Sequence, residues 1–193
     1  IKDFENLKEL CHRIRILGIA YNYTGSEEYV KKANEMLKVW FLNESTRVNP
    51  NLNYSQSIPG KVSGRPEGMI DTKGYVDLLN GLELMMGSSN LPSSTINGLK
   101  NWFNKYIDWM LNSELGKRGK NLKNNIETVY YMQILSYCKF VGNKEDLAER
   151  LINSQVKGLI ASQFDNEGKQ PFELNRTNSW SYSTSNLVYW FNV

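Results

Sequence analysis

The phrase YCKFVGNKEDLAERLI, from Tyr137 to Ile152, decides the reading of the fold. Gly142 stops one helix, Asn143 stands where the next needs a cap, and Glu145 with Asp146 fills an acidic first turn. A glycine past the last periodic residue marks a helix end. A small polar residue followed by acids marks a start, because its side chain accepts an orphan N–H and negative charge suits the helix dipole. The same phrase occurs near the beginning of the chain. From Phe4 to Tyr23, Leu7, Leu10, Cys11, Ile14, Leu17 and Ile19 recur at helical spacing; Gly25 ends the run, and Ser26, Glu27 and Glu28 open a second helix that reaches about Leu42. A weaker copy, LELMMGSSNLPSSTINGL, spans Leu82 to Leu99. Gly25, Gly87 and Gly142 thus mark three helix–turn–helix units, and the chain is predicted to be an all-α array of αα-hairpins.

The bulk properties agree with one globular domain. The chain has 193 residues, of which 40% are hydrophobic, which is enough for a sizeable core. Twenty-three basic and 20 acidic side chains leave a net charge of +3, spread along the chain, so no nucleic-acid partner is expected and an anionic ligand is permitted. No apolar run approaches the roughly 20 residues that span a bilayer, and no signal peptide is seen, so no membrane partner is expected. Cys11 and Cys138 each sit in an apolar helical context and read as buried free thiols, although a disulfide between them stays open. Asn-x-Ser/Thr sequons at Asn22, Asn43, Asn53 and Asn175 favour secretion only slightly, since an Asn- and Ser-rich chain produces them by chance. The chain starts at Ile1 and stops at Val193 beside an apolar segment, which reads as a single domain over 1–193 truncated at one or both ends.

Two segments interrupt the helical pattern. The first, about Asn43 to Met69, is rich in Asn, Pro, Ser and Gly, and Pro50, Pro59 and Pro66 are expected to break any helix there. The second, about Phe164 to Ser179, carries FDNEGKQPFELNRTNSW, where an Asn-Glu-Gly turn and Pro171 predict irregular backbone. Loops that long are more often functional than plain linkers. Two adjacent amides, Asn124 and Asn125, raise a separate question just ahead of a helix: one is enough for an N-cap, so the other is available to hold a substrate.

Taken together, WFLNESTRVNPNLNYSQSIPG (from Trp40), GRPEGMID (from Gly64), NNIETVYYMQ (from Asn124) and GKQPFELNRTNSWSYSTSNL (from Gly168) resemble the alginate lyase family, which includes the periplasmic polymannuronate lyases. The blocks follow the family's order and cover most of the chain. The resemblance implies an (α/α) toroid, an incomplete barrel of antiparallel helical hairpins with long cleft-lining loops. It implies a monomeric polysaccharide lyase, extracellular or periplasmic, that needs no cofactor and acts on an anionic polysaccharide such as a uronate polymer.

Such lyases cut by β-elimination: the C5 proton leaves, the glycosidic oxygen departs from C4, and a double bond forms. A proton beside an ionised carboxylate is a very weak acid, so the carboxylate must be neutralised, and amide and guanidinium donors do this. By resemblance the neutralising pair falls on Asn125 and Arg176, and the proton carrier on Tyr182. An amide donates to a carboxylate, an Arg grips it through a planar fork, and a Tyr moves protons when a positive charge stands nearby. Arg65, Tyr54, Gln56, Asn124 and Trp180 are the substrate-binding candidates, with Tyr182 and Tyr189 as further cleft aromatics. Most of Trp40, Phe41, Trp102, Phe103, Tyr106 and Trp109 are expected in the core.

One departure stands out. Where the family writes Asn-Asn-His-Gly, this chain has Asn-Asn-Ile-Glu: Ile126 carries no proton, and Glu127 would repel a uronate if it faced the cleft. The chain's single histidine, His12, lies in the first helix and reads as structural. With one His and two distant Cys, no metal site is expected. No pair of carboxylates suits a glycoside hydrolase either. The alternative to a lyase is a degenerate module that binds anionic polysaccharide without cleaving it.

Overall fold

The structure is a computed structural model that describes residues 2–193, and their regular structure is helical apart from an isolated bridge between Ile58 and Val62. In chain order the helices are α1 (Lys2–Thr24), α2 (Glu27–Leu37), α3 (Gly74–Glu83), α4 (Ser93–Asn112) and α5 (Glu114–Gly119). They continue with α6 (Asn125–Val141), α7 (Glu145–Leu151), α8 (Lys157–Gln163), α9 (Pro171–Leu174) and α10 (Ser179–Trp190). A π-helical turn, Lys38–Leu42, prolongs α2, and another, Ile152–Val156, joins α7 to α8. The residues gather into two compact units: one runs up to Asn51 and includes Asp71–Tyr106, and the other comprises Leu52–Ile70 and Ile107–Val193.

In the first unit α1 packs on α2 and α3. Ile14, Val30, Ala33, Leu37, Leu78, Leu82 and Leu99 are completely buried between these helices and α4. Phe41, Tyr75, Trp102, Phe103 and Tyr106 form one aromatic cluster, with Phe41 and Trp102 edge to face at 4.9 Å between centroids. Such a pair adds about 0.5–1.5 kcal/mol beyond the area it buries. The expected core placement of Phe41, Trp102, Phe103 and Tyr106 therefore holds. Trp40 is half-buried and donates to the Tyr75 hydroxyl at 3.2 Å.

All three turn glycines adopt positive φ, +67° at Gly25, +90° at Gly87 and +68° at Gly142, so the hairpin reading rests on the conformation that glycine tolerates best. The surroundings of Gly25 and Gly87 leave a Cβ unopposed, whereas those of Gly81 in α3 do not: a Cβ there would stand 2.6 Å from Arg15 Cα and 2.8 Å from the Ile14 carbonyl oxygen of α1. The two kinds of glycine should separate in thermal melts. Gly25→Ala is expected to cost about 1–2 kcal/mol, the left-handed backbone penalty alone. Gly81→Ala forces two helices apart and is expected to cost about 3 kcal/mol or more. Equal shifts in Tm for the two would contradict the close α1–α3 approach.

The structure corrects several local expectations. Ser26 occupies the cap position of α2 but makes no side-chain cap bond. The Glu27 carboxylate instead accepts from Ser88 Oγ and, at 2.9 Å, from Asn90 Nδ2, tying α2 to the turn between α3 and α4. The cap of α7 is Lys144, not Asn143. Pro66 begins a 3₁₀ helix, Pro66–Thr72, and Pro171 begins α9. Proline at a first helical position costs nothing, because its missing N–H is an orphan there in any case. Cys11 and Cys138 are both buried and free, and burial pushes their thiols up, Cys11 to about 12 and Cys138 to about 11.

In the second unit α6 is the central helix. Every residue from Asn125 to Leu135 is buried, so the helix has no solvent face over three turns, and α5, α7 and α10 pack around it. A polar knot ties it to the later helices. Gln163 Oε1 accepts from Thr128 Oγ1 at 3.0 Å, Asn186 Nδ2 at 3.0 Å and Trp190 Nε1 at 3.1 Å, and Asn186 also donates to Gln170 Oε1 at 2.9 Å. Buried amides paired in this way, Asn186 through its Nδ2 and not its Oδ1, fix the mutual register of α6, α8 and α10.

Candidate active site

The N-terminus of α6 resolves the question of the paired amides. Asn124 is the cap: its extended backbone turns the chain, and its Oδ1 accepts the Ile126 N–H at 2.9 Å. Glu127 closes the same turn from the other side, its carboxylate accepting the Lys123 N–H at 3.1 Å. This is a capping-box arrangement displaced by one residue. Glu127 is buried by it and does not repel a ligand as an exposed acid would.

Burial pushes the Glu127 carboxyl above its ordinary value, against the Lys123 N–H bond and the Lys123 charge, which lower it. A folded-state acid with a raised value holds its proton where the unfolded chain has lost it, so stability falls as pH rises through that window. Glu127→Gln keeps the acceptor and removes the ionisation. It is expected to raise Tm at pH 7, with the gain vanishing below about pH 4, where both states are protonated. A gain that persisted in acid would assign the effect to packing instead.

Asn125, the first residue of α6, is 1% exposed. Its N–H has no helical partner and donates to Glu173 Oε1 at 2.6 Å, while its Oδ1 accepts from Arg176 Nη1 at 3.0 Å. Using Oδ1 in this way leaves Nδ2 to donate elsewhere. Arg176 Nη1 also reaches Glu173 Oε2 at 3.4 Å, and the guanidinium carbon lies 3.4 Å from the centroid of the Tyr182 ring. A cation on an aromatic face at that distance is an attractive contact. Asn125 from α6, Arg176 just past α9 and Tyr182 from α10 are therefore brought together, with a third of the Arg176 side chain and part of Tyr182 open to solvent.

The other candidates fall into separate settings. Arg65 pairs with Glu67 Oε2 at 3.4 Å and donates to Gln56 Oε1 at 3.5 Å, and Gln56, at φ +50°, donates to the Glu67 carbonyl at 3.3 Å. Gln56 thus pins the loop 52–70 from within. Tyr54 and Trp180 project outward, 77% and 82% exposed. Tyr189 corrects its reading as a cleft aromatic: it is 5% exposed and belongs to the core. Trp109 is half-buried and bonds Asn53 Oδ1 at 2.8 Å. Ile126 is buried, so no imidazole takes the family's position, and His12 is exposed on α1 of the first unit.

Glu173 escaped the sequence reading. It is the buried acid that joins Asn125 to Arg176, and the available signal was its i, i+3 spacing to Arg176, two residues after Pro171. Among the described residues no group of His, Cys, Asp or Glu side chains is placed to hold a metal ion, and no helix is long and apolar enough to cross a membrane.

An all-α scaffold of helical hairpins that sets an amide, a guanidinium and a phenol against one another defines the class. The alginate lyase family model matches residues 1–192, and the chain belongs to that family. It is similar to the crystal structure of an alginate lyase from Bacteroides ovatus, with 34% sequence identity and a TM-score of 0.94 over 98% of this chain. That match agrees with the (α/α) toroid expected from the family. The chain covers 50% of the Bacteroides chain, so it spans about half the length of that relative. No curated protein matches the chain.

Proposed function

We propose that the chain is a polysaccharide lyase domain over 1–193 that cleaves an alginate-like uronate polymer by β-elimination outside the cytoplasm, as a monomer. The observation that carries this reading is Arg176, which touches Asn125 on one side and the Tyr182 ring on the other. In the reaction, Asn125 Nδ2 and the free N–H groups of Arg176 donate to the C6 carboxylate of the sugar and stabilise the charge that spreads onto it as C5 loses its proton. Tyr182, with the guanidinium against its ring, acts as the base and takes that proton. The C5–H electron pair becomes the C4–C5 double bond, the C4–O bond breaks, and the same phenol returns a proton to the departing oxygen. Both transfers lie on one face of the sugar, so the missing imidazole is not required. Arg65, Gln56, Asn124, Tyr54 and Trp180 bind flanking sugars, the exposed aromatics by stacking.

Incubation of the protein with polymannuronate, polyguluronate and polyglucuronate, followed by ultraviolet absorbance of unsaturated sugar ends, tests the reading. Absorbance that grows with time on at least one polymer is the expected result. The buried Ile126 in the family's His position favours a second reading, a module that binds the polymer without cutting it. That reading requires a flat absorbance trace together with saturable binding that weakens on Arg176→Ala.

A further inference from the structure

We propose that Glu173 is a positioning residue whose buried carboxylate holds the Asn125 main chain and the Arg176 guanidinium in the single arrangement that presents both to a sugar carboxylate. This inference rests on the lyase site described above. A carboxylate is an unexpected thing to find beside a site for an anion, and at 2% exposure it has few reasons to be there other than its partners. Each oxygen has a different task. Oε1 takes the Asn125 N–H at 2.6 Å, a charge-assisted bond to the orphan donor of α6, and Oε2 faces Arg176 Nη1 at 3.4 Å. Nη1 is in turn the donor that engages Asn125 Oδ1 at 3.0 Å.

Three consequences follow from that closed set of contacts. The Asn125 amide is oriented with its oxygen inward, so its nitrogen is the group left for ligand. Arg176 spends one nitrogen on the protein and keeps Nε and Nη2, and its plane is set against Tyr182. The charge of Glu173 offsets part of the Arg176 charge, which prevents the guanidinium from binding the substrate's ground-state carboxylate so tightly that the gain is lost before the transition state. Glu173 itself touches neither sugar nor reacting proton in this scheme.

Glu173→Gln separates the roles, because it keeps the shape and one oxygen acceptor for the Asn125 N–H and removes the charge. Nuclear magnetic resonance of the protein without ligand reads positioning directly. In the wild type the Asn125 amide proton is expected far downfield and the Arg176 guanidinium protons upfield, shielded by the Tyr182 ring beneath them. In Glu173→Gln the Arg176 signals are expected to move toward random-coil values while the fold's other resonances stay in place. Kinetically, kcat is expected to fall by about 10- to 100-fold with KM within about threefold, and Glu173→Ala to lose more than Glu173→Gln. Unchanged Arg176 shifts in Glu173→Gln, or a kcat within twofold of wild type, would overturn the role. A wild type that cleaves no polymer would defeat the lyase reading by itself, and the Arg176 shifts would still decide whether Glu173 sets the geometry.

Discussion

Tyr182→Phe is expected to lower turnover by at least about a thousandfold while leaving the thermal melt within a few degrees of wild type. The size follows from one phenol serving as both base and acid, since each general acid–base contribution is worth about 10²- to 10⁴-fold. The intact fold follows from the placement of Tyr182, whose ring is partly open and lies under Arg176 rather than in the core. Phenylalanine preserves that ring contact and removes only the hydroxyl, so lost binding cannot explain lost rate: KM should stay within a few-fold. Unsaturated product formed at the wild-type rate by Tyr182→Phe would remove the phenol from the mechanism altogether.

Arg176→Lys is expected to cost about a hundredfold in kcat, the loss typical of removing one preorganised donor from a developing oxyanion. Lysine is the informative replacement because alanine would leave the buried Glu173 carboxylate without its charge partner, and that penalty would fall on folding. An ammonium keeps the charge. It cannot donate to Asn125 Oδ1, lie flat on the Tyr182 ring and offer two further N–H groups in one plane. Steady-state kinetics beside a melting curve checks this: a lysine variant within about threefold of wild type would mean that the site needs only a positive charge.

The hairpins were legible because their ends are written locally. A left-handed residue after an apolar helix is almost obliged to be glycine, and Gly25, Gly87 and Gly142 all prove to be left-handed. What stayed hidden depends on partners far away in sequence. Ser26 looks like a working cap but makes no cap bond, and the partners of Glu27 beside it, Ser88 and Asn90, lie more than sixty residues away in sequence. Tyr189 looks like a neighbour of Tyr182, and it is: two turns along the same helix face, where the inner face of α10 has already entered the core. The π turns at Lys38–Leu42 and Ile152–Val156 need no special residue and so leave no mark. The three catalytic candidates came from the family resemblance, and their mutual contacts came only with the fold. Glu173 was invisible because half of its bonding lies 48 residues away, on the main chain of Asn125.

The enclosure of α6 divides the site by timescale. Asn125 stands at the start of a helix that is buried over its first three turns, with its N–H held by the buried Glu173 carboxylate, so its main chain moves little while that packing persists. Arg176 and Tyr182 belong to a short helix end and to a helix with an exposed flank, where local excursions are cheap. One wall of the site is therefore slow and the other fast. In the proposed reaction, a polymer that settled between them would cost freedom chiefly on the fast wall, where Arg176 and Tyr182 must come to rest against the Asn125 side.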